Sequence, residues 1–502
     1  MRTDTIASHP LRQRLAIDPF AALAFIVLLC SILITLKDVA AIGFLFERNY
    51  NEGWNVYNTE RLIDHELVYD GNYWRVNNYP IGSFLIIAGV NRLVHDLLLS
   101  GRIVALLSFA AIGILAAIAV RRFGGERIDA LFGAGCALGF CYLIAPAWIV
   151  VDDPQTLGEA VMMGGLVSYL SGRAGRLDLL RTGFLVVLAV YIKHNVLPIP
   201  FVITLDLALR SPRRLPLWLG CCAGFAAGFL GLTQIVAGGA FIDHLLSPRV
   251  FAWHGVRYHL MKYVRLFKFP LLAMVLGCRL IFPAHRFVLT AWGLTSICLA
   301  TIVSGFEGAS YNVFQDAAVF LGVAAGVLLC ELRKSAAVSR RFAGAFPAVV
   351  ALVLAQPVLS RTPNAVLELS HPGALLESNR RAEEVFLADA RYISDAHGPA
   401  ICESLLLCHT AGQPFTLDPF NSRQYILAGR LDETELIQRI AAHEFAVLQV
   451  RADICDDAAT TACHILHYPQ KFNRFTDETL YAIDRYYRID RRSRYGVFYV
   501  PK

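Results

Sequence analysis

Apolar runs of about 16–22 residues recur along this chain, the length at which a helix rising about 1.5 Å per residue crosses a bilayer core roughly 30 Å thick. They fall near 19–38, 102–120, 128–149, 156–171, 180–193, 196–209, 215–236, 268–282, 287–305, 314–330 and 342–358. The runs 180–193 and 196–209 are short and predict a tight hairpin around Lys193, His194 and Asn195. So many runs leave lipid as the solvent for most of the chain. The bulk agrees: 56% of residues are hydrophobic and only 17% charged, with a mean hydropathy of +0.50, well outside the range of soluble domains. The net charge of +6 is small for 502 residues and points to no nucleic-acid partner. Residues 1–17 are polar and basic, so the run after them reads as a retained span rather than a cleaved leader.

The basic residues orient the spans. With Arg2, Arg12 and Arg14 in the cytoplasm, alternate crossings put Arg121, Arg122 and Arg127 inside, then Arg173, Arg176 and Arg181, then Arg210, Arg213 and Arg214, then Arg279 and Arg286, and finally Arg333, Lys334, Arg340 and Arg341. This works only if residues 80–100, broken by Asn91, Arg92, His95 and Asp96, lie along the outer interface. The sequence therefore predicts an α-helical polytopic membrane protein of about eleven transmembrane helices. Residues 1–358 form the membrane part, with a first outer loop over 39–101. Residues 359–502 form a small extracytoplasmic α/β domain, with helix-like stretches at 379–396, 432–442 and 476–487 and strand-like ones at 399–402, 445–450 and 496–500. Cys402, Cys408, Cys455 and Cys463 all lie in that tail, where an oxidising compartment permits two bridges, most simply Cys402–Cys408 and Cys455–Cys463.

Carboxylates beside apolar spans are costly and mark function. Glu52 follows the first span in Asn-Glu-Gly-Trp, Asp152 and Asp153 fill a very short loop, and Glu159 lies about two turns into the span that follows. Asp153 precedes Pro154 and so would also cap a helix. The complementary cations on the same face are Arg75, before Asn77-Asn78-Tyr79-Pro80, Lys193 and His194 of the hairpin, and a basic, aromatic stretch that includes Arg249 and Arg257. Cations interleaved with aromatics at a membrane surface suit a lipid phosphate or pyrophosphate.

An acid in Asn51-Glu52-Gly53-Trp54, then Leu67-Val68-Tyr69 and Asn77-Asn78-Tyr79-Pro80-Ile81, then Asp152-Asp153-Pro154, resembles the polytopic glycosyltransferases of the GT-C fold. The likeness is to their dolichyl-phosphate-mannose–protein mannosyltransferase-like and aminoarabinose-transferase-like branch. It extends loosely into the tail at Glu403 and Leu417-Asp418-Pro419-Phe420. Asn51 stands where the family often has the first acid of a pair, and Tyr79-Pro80-Ile81 replaces its double proline. The resemblance implies transfer of a sugar from a polyprenyl-phosphate donor to a glycan, lipid or protein acceptor. In that reading Glu52 is the general base, while Asp153 with Asp152 orients the acceptor. Arg75, Asn78, Tyr79, Lys193, His194, Arg257 and Glu159 contact substrate. Glu52, Asp152 and Asp153 are the set that would share a divalent cation, magnesium or manganese, if one takes part. The competing class, a transporter or lipid flippase, would place charges near mid-bilayer and often show an inverted repeat. Here the charges gather at one face and no repeat is visible.

Overall fold

The computed structural model describes residues 19–172, 175–277, 286–335, 345–451, 453–455, 463–465 and 474–502. Thirteen helices precede the tail region: α1 (Pro19–Ala40), α2 (Tyr50–Ile63), α3 (Gly82–Val94), α4 (Leu97–Arg122), α5 (Arg127–Ile144), α6 (Pro154–Ser171), α7 (Arg176–Ile192), α8 (Pro198–Arg210), α9 (Leu215–Ala237), α10 (Phe241–Leu245), α11 (Trp253–Gly277), α12 (Arg286–Val303) and α13 (Gln315–Lys334). A bent pair, Ala345–Leu359 and Thr362–Leu369, leads into the tail.

α5 is the centre of the bundle and packs against α1, α4 and α13. Small residues permit the close approach: a Cβ on Gly322 of α13 would lie 2.4 Å from the backbone of Ala137 in α5. The core there is aliphatic and aromatic, with Phe132, Phe140, Ile112 and Leu321 fully buried. At one end of the bundle Arg333 bonds Asp129 at 2.9 Å, and Lys334 reaches the Gly124 carbonyl at 2.8 Å. That end therefore joins two of the basic turns read from sequence. The remaining basic residues of that reading at 2, 12, 14, 173, 279, 340 and 341 lie outside the described residues.

Each of the eleven apolar runs lies largely in a helix, but the count of eleven spans is not what the helices show one by one. Among the described residues five are long and apolar enough to cross a bilayer, or six if the bent pair, angled by 46°, is a single span. The others are shortened or carry polar side chains. Two boundaries also move. α4 begins at Leu97 rather than 102, capped by Asp96, whose carboxylate accepts the Leu99 N–H at 2.8 Å. The basic stretch after 253, read as loop up to 267, is helical: α11 continues through a kink at Phe267, three residues before Pro270, as expected where a proline removes a backbone donor. Residues 82–94 form α3, whose 13 residues rise only about 20 Å, short of a bilayer core of roughly 30 Å.

The tail builds a four-stranded mixed sheet in the order β1 (Ala400–Cys402), β2 (Val447–Val450), β6 (Gly496–Pro501), β5 (Tyr487–Ser493), with β1 and β2 parallel and the other pairs antiparallel. Strands β3 (Asp453–Cys455) and β4 (Cys463–Ile465) pair separately. Cys402 and Cys408 are bridged. The side chains of Cys455 and Cys463 lie outside the described residues. The tail packs onto the long first loop: Leu406 and Leu407 share a core with Phe46, Val56 and Leu98. Gly53 of α2 sits so close to the helix Leu405–Thr410 that a Cβ there would fall 2.0 Å from the Leu406 nitrogen. Any side chain at position 53 would part the two.

Candidate active site

Two loops far apart in sequence meet at the end of the bundle that carries the tail. Asn49 caps α2 and Asp153 caps α6, each accepting a backbone N–H two residues ahead at 3.0 and 2.8 Å. These caps aim Asn51 and Asp153 at each other, and the Asn51 amide donates to Asp153 Oδ2 at 2.6 Å. Asn55 donates to the Asp152 carbonyl at 2.6 Å, and Arg48 to the Val150 carbonyl at 2.7 Å. The loops are thus stitched through side chain and backbone together.

Glu52 faces away from this seam. It is fully buried, and its carboxylate accepts from Arg102 Nε at 2.7 Å and Nη2 at 3.0 Å, from the Arg48 N–H at 2.8 Å and from the Asp152 N–H at 3.5 Å. Arg102 spends its other N–H bonds on the carbonyls of Ile42, Phe44 and Phe46 at 3.2, 2.6 and 2.8 Å. All five of its donors are used, and it is 1% exposed. A base must offer a lone pair to its substrate, and this geometry gives Glu52 a holding role instead. Asp152 is also enclosed, with neither carboxyl oxygen bonded. Burial, with Glu52 and Asp153 beside it, pushes its carboxyl well above the usual range. Among the described residues no group of three or more His, Cys, Asp or Glu side chains is placed to hold a metal ion. Glu52, Asp152 and Asp153 therefore do not fit a shared divalent cation, because Arg102 already occupies Glu52.

Beside the Asn51–Asp153 seam opens a cavity of about 560 Å³. Asn51, Trp54, Asn78 and Tyr79 come from the first loop, Lys193, His194 and Asn195 from the α7–α8 turn, Arg249 from the segment before α11, and Phe420, Asn421, Arg451 and Arg474 from the tail. Its lining holds Arg48, Lys193, Arg249, Arg451 and Arg474 against one carboxylate, Glu307. That carboxylate is taken by Arg423 at 2.6 Å. Arg48, Arg451 and Arg474 pair with Asp38, Glu47 and Glu403. Among the described residues neither Lys193 nor Arg249 has a carboxylate within 4 Å. Lys193 lies 3.5 Å from the centroid of the Tyr79 ring. Arg249 stacks over Phe420 and donates to Asn421 at 2.7 Å, with its Nη1 unbonded. Burial, reinforced by these two cations, pushes His194 down to about 3 and keeps it neutral.

The tail closes the wall. Tyr50 donates to Asp418 at 2.7 Å, the Asp418 N–H to the Trp74 carbonyl at 2.7 Å, and Ser404 to Glu47 at 2.6 Å. Asn78, Tyr79, Lys193 and His194 thus line the cavity. Three others do not. Arg75 is held by Asp70 at 2.5 Å and by Glu66, outside the lining. Glu159 is buried in the bundle beside Asp316, whose carboxylate accepts the Trp292 N–H. Arg257 lines an adjoining groove of about 1560 Å³, which meets the cavity at residues 306–309 and Arg474. Sequence reading passed over Arg102, Arg451 and Arg474. Only Arg102 carried a signal, a charge opening an apolar run.

The bundle with a tail seated on its first loop has the GT-C fold, as solved structures of glycosyltransferases show it. The particular likeness is to ArnT from Cupriavidus metallidurans. Its apo structure matches at a TM-score of 0.58 and 13% identity over 95% of this chain and 98% of that one. The structure bound to undecaprenyl phosphate matches at 0.55 and 13% over 96% and 97%. A looser likeness, TM-score 0.49 at 10% identity over 96% of this chain and 74% of the other, is to the oligosaccharyltransferase of Archaeoglobus fulgidus. No protein-family model and no curated protein matches the sequence.

Proposed function

We propose that this protein transfers a sugar from a polyprenyl-phosphate donor to an acceptor at the extracytoplasmic face of the inner membrane. The observation that carries the reading is the cavity with two cations free of carboxylate partners, lying against the Asn51–Asp153 seam at one end of the bundle. A dissociating lipid phosphate needs positive charge fixed in a site that excludes water, where such charge counts for most. Lys193 and Arg249 supply it. Asp153 is the carboxylate we assign to the acceptor: among the described residues it forms no salt bridge, and its Oδ2 accepts from the amide of Asn51, which lines the cavity. In an inverting displacement the acceptor oxygen forms its bond to the anomeric carbon as the bond to phosphate breaks. The acceptor proton passes to Asp153, and the leaving electron pair stays on the phosphate beside the two cations. Glu52 serves by holding the first turn of α2, which carries Asn51.

The test is incubation of the purified chain with a panel of labelled polyprenyl-phosphate sugars and mass spectrometry of the products. Consumption of one donor supports the reading, and failure to consume any of them ends it. Lys193→Ala and Arg249→Ala are expected to slow transfer by about 10²–10³-fold each, the cost of deleting one preorganised partner of developing charge. Steady-state rates at saturating acceptor report it, and wild-type rates would remove these residues from the phosphate site. The orientation has its own check. A cysteine at Asn72, which is partly exposed in the first loop, is expected to react with an impermeant thiol reagent on intact cells. Labelling only after lysis would reverse the topology.

A further inference from the structure

A second pair of hollows lies on the other side of residues 46–48, along one face of α1. The first is an apolar groove of about 570 Å³, lined by Cys30 of α1 and by Leu359, Val366 and Leu367 of the bent pair. The second is a polar pocket of about 530 Å³, lined by Lys37 and Asp38 at the end of α1 and by Glu47, Arg48, Arg451 and Arg494. Cys30 and Lys37 are seven residues apart, so they share a helix face about 10 Å apart along its axis. Lys37 also pairs with Glu368 at 3.2 Å, next to the Leu367 that lines the groove. Groove and pocket therefore follow one another along the same face of α1, the apolar one first and the polar one at the helix end.

The pocket's charges are unbalanced. Asp38 is bonded by Arg48 at 2.5 Å and by Tyr142 at 2.8 Å, and Glu47 by Ser404 at 2.6 Å and Arg451 at 3.6 Å. Both carboxylates are spoken for. Arg494 is exposed and, among the described residues, has no carboxylate within 4 Å, and Lys37 is tied only to an exposed Glu368. An anion entering the pocket meets Lys37 and Arg494 in addition to the two arginines that the acids already neutralise.

We propose that groove and pocket together hold an anionic phospholipid of the surrounding leaflet, its acyl chain beside Cys30 and Leu367 and its phosphate at Lys37 and Arg494. The site is separate from the transfer cavity but shares a wall with it, because Arg48 and Arg451 line both. Its occupant therefore sets the surroundings of two cations of the catalytic cavity without touching substrate.

Native mass spectrometry of the purified full chain tests this, with phosphatidylglycerol and phosphatidylethanolamine of matched acyl chains as probes and undecaprenyl phosphate as competitor. Phosphatidylglycerol is expected to be retained in preference to phosphatidylethanolamine. Arg494→Glu, in the polar half, and Leu367→Glu, in the apolar half, should each lower that retention by about tenfold or more. Both side chains are exposed, so the lipid-free melting temperature should stay at the wild-type value. Equal retention of the two phospholipids, or wild-type retention by both variants, overturns the proposal. Displacement of phosphatidylglycerol by stoichiometric undecaprenyl phosphate also overturns it, giving the groove to the donor. Every outcome can be read whether or not the chain transfers sugar.

Discussion

Asp153→Asn is expected to lower transfer by about 10²–10⁴-fold, the usual cost of losing a group that takes a proton in the transition state, while leaving the fold intact. The two effects separate because of where Asp153 sits. Its Oδ1 caps α6 by accepting the Gln155 N–H at 2.8 Å, and asparagine caps a helix about as well as aspartate. The substitution removes the charge and keeps the cap. Alanine at the same position would remove both and confuse the reading. The measurement is initial rate against melting temperature for the purified variant. A rate within a few fold of wild type, at unchanged stability, would take Asp153 out of the chemistry.

Arg102→Ala should instead strike stability. Five hydrogen bonds end on this one buried guanidinium, and its removal leaves the Glu52 carboxylate charged, enclosed and without a counter-ion. Breaking a buried pair from one side costs roughly 3–5 kcal/mol, whereas replacing both partners with apolar groups of similar size often costs little. Glu52→Leu with Arg102→Met should therefore recover part of what Arg102→Ala loses in denaturant unfolding. Recovery will be incomplete, because the carbonyls of Ile42, Phe44 and Phe46 lose their donor in either case. If the double variant is no more stable than Arg102→Ala, Glu52 and Arg102 are not coupled as the geometry requires.

The membrane character and the polar first loop were legible in sequence because hydropathy is a local property, read a turn at a time. So was the α7–α8 turn, whose Lys193 and His194 interrupt two apolar helices. What was not legible is direction. Asn51 and Glu52 are neighbours on a helix, about 100° apart around its axis, and one faces the cavity while the other faces Arg102. Nothing within the sequence of α2 says which. The acid nearest the span therefore read as the reactive one, when its partner lay 50 residues further on in α4. Arg75 failed for the same reason: its loop looked poised for phosphate, yet Asp70, only five residues earlier, takes its charge. Arg451 and Arg474 sit in an ordinary soluble tail, and only tertiary packing brings them to the cavity. The kinked helix α11 was hidden by its own composition, since basic and aromatic residues read as loop when they wrap a helix rather than stripe it.

Tyr50 and Asp418 meet across 368 residues, and that separation sets a timetable. A ribosome adds about 5–20 residues each second, so the first loop waits tens of seconds for the partner that completes its wall. Until then the cavity lacks the wall that Phe420, Asn421, Arg451 and Arg474 supply. The cavity is completed late, only after the residues around Asp418 have been made. A shortened chain that still inserts into the bilayer should be inert rather than unregulated.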